Sequence, residues 1–198
     1  NTLDLGGKPL TQWTLEAAQE SELIDTLIVS TDDPSVSQLA RTMGLTVFER
    51  PNELAMNTTQ TKDVISHHLA QNHVAPGILV LLQPTSPLRT AEDIDGCVRL
   101  LERGFSVITV TPHSTPPEWI YRIDTNTGLL RPVLSQRAAL RQVAEPAFRL
   151  NGAVYCAHTY PLGPEGDFHA LPIIPSIMPP ERSVDIDTSQ DLEMAASY

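Results

Sequence analysis

The stretch LVLLQPTSPLR, residues 79–89, decides how this chain folds. Its four leading apolar residues, 79–82, predict a strand that is buried on both faces of a parallel sheet. The two prolines that follow fix backbone angles and remove N–H donors, so the turn after the strand is stiff. Open α/β folds bind their ligands at the carboxyl ends of their strands. We therefore expect Gln83 and Ser86, which follow this strand, to lie at a binding site.

Strands and helices alternate on both sides of this stretch. Apolar runs predict further strands, and helical spacing with capping residues predicts helices between them. The predicted strands are 25–30, 45–48, 106–110, 152–156 and 171–174, and the predicted helices are 9–21, 34–43, 62–72, 90–103 and 188–198. This order predicts a three-layer α/β fold with a mostly parallel sheet and right-handed crossovers. We treat residues 1–198 as one domain.

The alternation is interrupted between about residues 115 and 150. Two short extended runs, 118–123 and 129–132, flank the turn sequence DTNTG, which predicts a β-hairpin. We expect this excursion from the main sheet to be either a lid or an oligomer contact.

Composition excludes several classes of function. The formal net charge of −11 argues against a nucleic-acid surface, which needs clustered Lys and Arg. No apolar run approaches the roughly 20 residues that span a bilayer. The two cysteines, Cys97 and Cys156, follow no metal or disulfide pattern, so we expect buried reduced thiols in a cytoplasmic protein.

The sequence SVDIDT, residues 183–188, carries two acidic residues that alternate with apolar ones. In extended backbone, residues two apart share a face, so Asp185 and Asp187 project together. Two neighbouring carboxylates suit Mg²⁺, which completes its octahedron with water and phosphate oxygens. The alternative is that Asp187 or Thr188 only caps the last helix.

Two further blocks carry polar groups next to predicted strands. RPNELA, which begins at Arg50, precedes a run of small hydroxyl and amide residues, and such groups suit a base and a ribose. RLNGAVY, which begins at Arg149, enters a predicted strand, and a guanidinium there could bind a carboxylate in bidentate fashion. The alternatives are a solvated loop for the first block and a surface salt bridge for the second. The histidines at 67, 68 and 73 lack the i, i+4 spacing of helical zinc ligands.

Together these blocks resemble the acylneuraminate cytidylyltransferases in content and order. LLQPTSPLR is similar to the signature of that family, and RPNELA, RLNGAVY and DID are similar to three other family blocks. The resemblance implies a homodimeric nucleotide-sugar transferase fold in which the excursion makes the dimer contact. It also implies a reaction in which CMP passes from CTP to a nine-carbon 2-keto sugar acid and pyrophosphate leaves.

The resemblance also implies a role for individual residues. Asp185 and Asp187 would be catalytic and would bind the Mg²⁺ cofactor. The nucleotide would be bound by polar and cationic residues, namely Asn1, Arg50, Asn57 and Thr61. The sugar acid would be bound by a second group, namely Gln83, Ser86, Arg141, Arg149, Asn151 and Tyr155.

Three features depart from the family pattern. Met56-Asn57 stands where relatives often have Ser-Asp, and Glu118 takes roughly the place of a basic residue found in some sialic-acid members. The basic phosphate-binding loop and the strand before it have no counterpart here, and we expect both to lie upstream of Asn1. Two alternatives stay open, namely a 3-deoxy-manno-octulosonate cytidylyltransferase and a catalytically inactive nucleotide-sugar binding module.

Overall fold

The structure is a computed structural model of the chain. It describes residues 2–56, 58–72, 76–101, 106–135, 140, 144–163, 165–170 and 172–198. Within these ranges no helix is both long and apolar enough to cross a membrane.

Helices and strands follow the predicted order closely. The helices are α1 (Leu10–Glu20), α2 (Pro34–Thr42), α3 (Thr61–Asn72), α4 (Ala91–Leu100), α5 (Thr159–Leu162) and α6 (Ser189–Ala196). The strands are β1 (Asp4–Leu5), β2 (Lys8–Pro9), β3 (Ile28–Thr31), β4 (Thr46–Glu49), β5 (Ile78–Leu81), β6 (Ser106–His113), β7 (Tyr121–Ile123), β8 (Leu130–Pro132), β9 (Ala147–His158) and β10 (Ile173–Ile177). The predicted hairpin is present as the antiparallel pair of β7 and β8.

The main sheet has the strand order β10-β6-β9-β5. Strand β10 is parallel to β6, whereas β9 is antiparallel to both β6 and β5. Three strands of this sheet therefore run in one direction, as predicted, and β9 is the exception. The chain returns to the neighbour of β6 through the hairpin excursion rather than through a crossover helix, and antiparallel neighbours permit such a connection.

Helices cover both faces of this sheet, which confirms the three-layer architecture. On one face, α1 and α4 pack on side chains that include Val107, Val154 and Cys156. On the other face, α3 and α5 pack on side chains that include Ile108 and Ala157. The two faces alternate along β6 and β9, as the pleat of a strand requires. Strands β3 and β4 form a separate parallel pair against α2.

Strand β9 is longer than predicted and is irregular where it passes the site. It begins five residues earlier than the predicted strand 152–156, so Arg149 and Asn151 lie within the strand and not before it. The register with β6 shifts between Ile108 and Val110. The Thr109 hydroxyl spans this bulge, because it donates to Val154 O at 3.1 Å and accepts from Val154 N at 2.8 Å. Bulges of this kind redirect side chains next to active sites.

The two cysteines are buried and free, as expected. Burial raises the pKa of Cys97 to about 11 and that of Cys156 to about 12. Both thiols are therefore protonated at neutral pH and act as small apolar side chains.

Candidate active site

The turn after β5 and the aspartate segment 183–187 meet directly. The backbone N–H of Ile186 donates to Thr85 O at 2.7 Å, which joins the two segments between Asp185 and Asp187. Arg182 and Asp93 add a bidentate ion pair, with nitrogen–oxygen distances of 3.0 and 2.9 Å. Asp93 also completes the capping box of α4, the helix that follows the turn. Two segments about 100 residues apart thus form one edge of a shared site.

Gly152 marks the point where the groups of this site converge. A Cβ atom at this position would lie 2.8 Å from Gln83 Oε1, 3.0 Å from Ser86 Oγ and 3.4 Å from Asp185 Oδ2. The residue also has a φ of +73°, which disfavours any side chain. Any residue other than glycine at position 152 would therefore push strand β9 away from the turn and from Asp185.

Ser86 and Asn151 support the site from inside the protein. Both have 0% exposed surface. The Ser86 hydroxyl donates to Asn151 O at 2.9 Å, and the Asn151 amide donates to Ser183 Oγ at 3.0 Å. Their polar atoms bond to other parts of the protein, and their predicted contact with the sugar acid stays a prediction.

The surroundings of Asp185 make its ionised form less favourable. Its partial burial raises its pKa, and the nearby charge of Asp187 raises it further. The side chain of Thr85 and the charge of Arg149 oppose this effect. Asp185 Oδ1 is buried and has no hydrogen-bond partner among the described residues. A buried carboxylate oxygen without a partner is costly unless a cation or another donor joins it.

Asp187 does not cap the last helix. The Thr188 side chain caps α6, and Asp191 completes the capping box from the third position of the helix. Asp187 is exposed, and only its backbone N–H takes part in the cap, where it donates to Asp191 Oδ2 at 3.2 Å. The capping alternative therefore holds for Thr188 and fails for Asp187, whose carboxylate is left for another role.

These two carboxylates fit a magnesium ion better than a transition metal. Within the described part of the chain, no three His, Cys, Asp or Glu side chains are grouped as a metal site. Mg²⁺ needs only one or two carboxylates, because water and substrate phosphates supply its other ligands. The unpartnered Oδ1 of Asp185 supplies a hard oxygen donor of the type that Mg²⁺ prefers.

Arg149 and Tyr155 approach Asp185 from β9. One Arg149 guanidinium nitrogen donates to Ser183 O at 3.1 Å, and the rest of the side chain is exposed. Tyr155 pairs with Leu81 of β5, and burial raises the pKa of its phenol, as does the charge of Asp185. The structure thus brings both residues to the same sheet edge as Gln83.

Among the described residues, Arg50 and Thr61 form no hydrogen bond or ion pair with this cluster. Arg50 follows β4, and its guanidinium donates to Ser30 O at 2.9 Å and lies 3.8 Å from the Asp32 carboxylate. Arg50 Nε and Ser30 Oγ are buried without hydrogen-bond partners among the described residues, which leaves a donor and a hydroxyl for a polar ligand. Thr61 is exposed and begins α3. The predicted roles of Asn1, Asn57 and Arg141 fall on residues outside the described ranges.

Sequence reasoning missed two groups that shape the site. Arg89 is buried beneath the turn, although it stands within the stretch from which the prediction began. Thr109 interrupts the apolar run of residues 107–110 in β6, and a hydroxyl in such a run is the signal that could have indicated a bulge.

The sequence and the fold of this chain are similar to those of known proteins. A family model described as cytidylyltransferase matches residues 1–133. The chain is 34% identical over 200 residues to the CMP-N,N'-diacetyllegionaminic acid synthase of Legionella pneumophila, covering 96% of this chain and 85% of that protein. It is 32% identical over 199 residues to the N-acylneuraminate cytidylyltransferase of Escherichia coli O18:K1:H7, covering 98% of this chain but 47% of that protein. The chain therefore spans about half the length of the latter relative.

A solved structure shows the same fold. A CMP:2-keto-3-deoxy-manno-octonic acid synthetase complexed with CTP aligns with a TM-score of 0.69 at 17% identity, covering 99% of this chain and 89% of that one. The family model and the two relatives confirm what the sequence blocks predicted: this chain belongs to the cytidylyltransferase family.

Proposed function

We infer that this cytidylyltransferase transfers CMP from CTP to a nonulosonic acid and releases pyrophosphate. The observation that carries this inference is the meeting of Gln83, Gly152 and Asp185 at one point of the sheet edge. The names of the two relatives, which act on diacetyllegionaminic acid and N-acylneuraminate, support the substrate class. In the reaction, the anomeric hydroxyl oxygen attacks the α-phosphorus of CTP, and the bond to the bridging oxygen of pyrophosphate breaks.

Asp185 and Asp187 are the residues that would hold Mg²⁺. When bound, the ion would neutralise negative charge on the triphosphate. The pair suits this role because one carboxylate oxygen is buried without a partner and the other aspartate is exposed. No second role in hydrogen bonding or capping competes for the Asp187 carboxylate among the described residues.

Gln83, Arg149 and Tyr155 would form the sugar-acid pocket. Gln83 can both donate to and accept from an acylamino group, because a primary amide carries both functions. Arg149 retains guanidinium nitrogens that do not bond to Ser183, and these can bind the sugar carboxylate. Arg50 and Thr61 would bind the nucleotide, and the unpartnered Arg50 Nε supports that role for the arginine.

The hairpin excursion would form a homodimer. Large apolar side chains are exposed there, with Ile123 at 68%, Leu129 at 67% and Leu130 at 65%. Phe148 and Leu150, on the first half of β9, are also exposed. Exposed apolar groups at this density are typical of an interface surface.

A pyrophosphate-release assay with CTP tests the activity directly. We expect Mg²⁺-dependent release with one or more of sialic, legionaminic and pseudaminic acids. A 3-deoxy-manno-octulosonate arm separates the eight-carbon alternative, since preference for that acid would overturn the assigned substrate class. No release with any acid, from a protein that carries the phosphate-binding loop and is folded by circular dichroism, would support the inactive binding module.

A further inference from the structure

Arg89 is a buried cation that connects three parts of the site. It is 3% exposed and lies at the end of the turn that carries Gln83. Its Nε donates to Ala153 O at 2.7 Å, one terminal nitrogen donates to Thr14 Oγ1 at 2.7 Å, and the other donates to Gln83 O. The guanidinium therefore links the turn, strand β9 and helix α1.

The acceptors of Arg89 indicate why a charged group is buried here. Within the described residues, no carboxylate forms an ion pair with it inside 4.0 Å. Burying a guanidinium is costly, and an apolar side chain of similar volume often fills such a space as well or better. The guanidinium donates instead to the Thr14 hydroxyl and to two backbone carbonyls, and the charges of Asp93 and Asp185 favour its protonated form. Each of the two carbonyls belongs to a residue that borders the site. Gln83 carries the site amide, and Ala153 directly follows Gly152.

The planar fork of the guanidinium fixes the distance between these two carbonyls. A single ammonium nitrogen could not span the turn and β9 with the same geometry. The separation is critical, because Gln83 Oε1 already lies 2.8 Å from the position of a Cβ on Gly152. A small shift of either backbone would therefore move the amide relative to the floor of the site.

We propose that Arg89 is a positioning residue that holds the Gln83 amide beside Gly152 and thereby sets affinity for the sugar acid without affecting affinity for CTP. The kinetic part of this proposal rests on the function proposed above. Arg89 contacts no substrate in this proposal, and its effect passes through Gln83.

The test compares Arg89→Lys with Thr14→Val. The lysine keeps the charge but cannot bond to both carbonyls, whereas the valine removes only the α1 acceptor and leaves the link between turn and β9. We expect Arg89→Lys to raise KM for the sugar acid by about tenfold or more, with KM for CTP within about twofold of the parent. Thr14→Val should lower the melting temperature and leave both KM values within about twofold.

Crystal structures of both variants provide a readout that does not depend on activity. We expect the Gln83 side chain to move relative to Gly152 in Arg89→Lys and to stay in place in Thr14→Val. An unmoved Gln83, equal changes in both KM values, or an Arg89→Lys protein that does not fold would each overturn the proposal. If the parent protein shows no turnover with any nonulosonic acid, the proposed function fails, and the position of Gln83 alone decides the proposal.

Discussion

Asp187 and Asp191 are the same residue type and lie four residues apart, yet their carboxylates form different hydrogen bonds. Asp191 accepts hydrogen bonds from the backbone and side chain of Thr188, whereas the Asp187 carboxylate accepts none among the described residues. Their amide variants should therefore separate helix capping from metal binding.

We expect Asp187→Asn to lower kcat by at least about 100-fold at saturating Mg²⁺, because metal stabilisation of phosphate charge is worth several kcal/mol. Its melting temperature should stay close to that of the parent. Asp191→Asn is the matched control, which should lower the stability by weakening the capping box of α6 and keep its turnover. Steady-state kinetics and urea unfolding measure both, and an unchanged kcat in Asp187→Asn would contradict the metal role.

Gly152 tests the close approach of β9 to the turn. Gly152→Ala should lose about 1–2 kcal/mol to its left-handed backbone and, in addition, displace Gln83, so that activity falls by about tenfold or more. Gly44→Ala is the control, since Gly44 has a φ of +76° but no atom within 4 Å of an added Cβ. Equal activity in the two variants would show that the contact at Gly152 is unimportant.

At the scale of elements, the ion pair between Arg182 and Asp93 joins the aspartate segment to the start of α4. Burial alone would raise the pKa of Asp93, but hydrogen bonds from Arg182 and Thr90 outweigh it and lower that pKa. A lowered carboxyl pKa in the folded state contributes stability above the unfolded pKa of about 4 and loses it as the pH falls through the folded value.

Arg182→Gln should therefore destabilise the protein by about 1–2 kcal/mol at pH 7, since a charge-assisted pair is lost. The difference between variant and parent should shrink at an acidic pH below the lowered folded pKa of Asp93, where this carboxyl is protonated in both proteins. Unfolding free energies from urea titrations at the two pH values measure this. A difference that is the same at both pH values would show that the pair does not carry the effect.

Sequence patterns predicted most elements because apolar periodicity and capping residues are local. Strand β9 was predicted only in part, since Arg149, Asn151 and Gly152 break its apolar pattern. The first half of the strand pairs with β6 but leaves Phe148 and Leu150 exposed. A search for buried apolar runs therefore did not predict this half of the strand. The site blocks were predicted from polar residues beside the strands and from their resemblance to a known family. Their contacts, such as that between Ile186 and Thr85, join distant segments and leave no local signal.

At the scale of the whole molecule, the exposed hairpin predicts self-association. Ile123 and Leu130 are cross-strand partners on β7 and β8, so aspartates at both positions would place charge in the centre of the proposed contact. We expect the parent to elute at twice the chain mass of 21.7 kDa and the double variant Ile123→Asp/Leu130→Asp at the chain mass. Light scattering coupled to size exclusion measures this, and a monomeric parent would contradict the dimer.

The tight packing around Gly152 also limits how this enzyme can be redesigned. A single methyl group at that position would collide with the glutamine amide and the serine hydroxyl. Mutant libraries that aim to change the accepted sugar should therefore leave Gly152 unchanged. The side chain of Arg149 is exposed, so substitutions there meet little steric hindrance, and preference for one acid over another is best sought at that position.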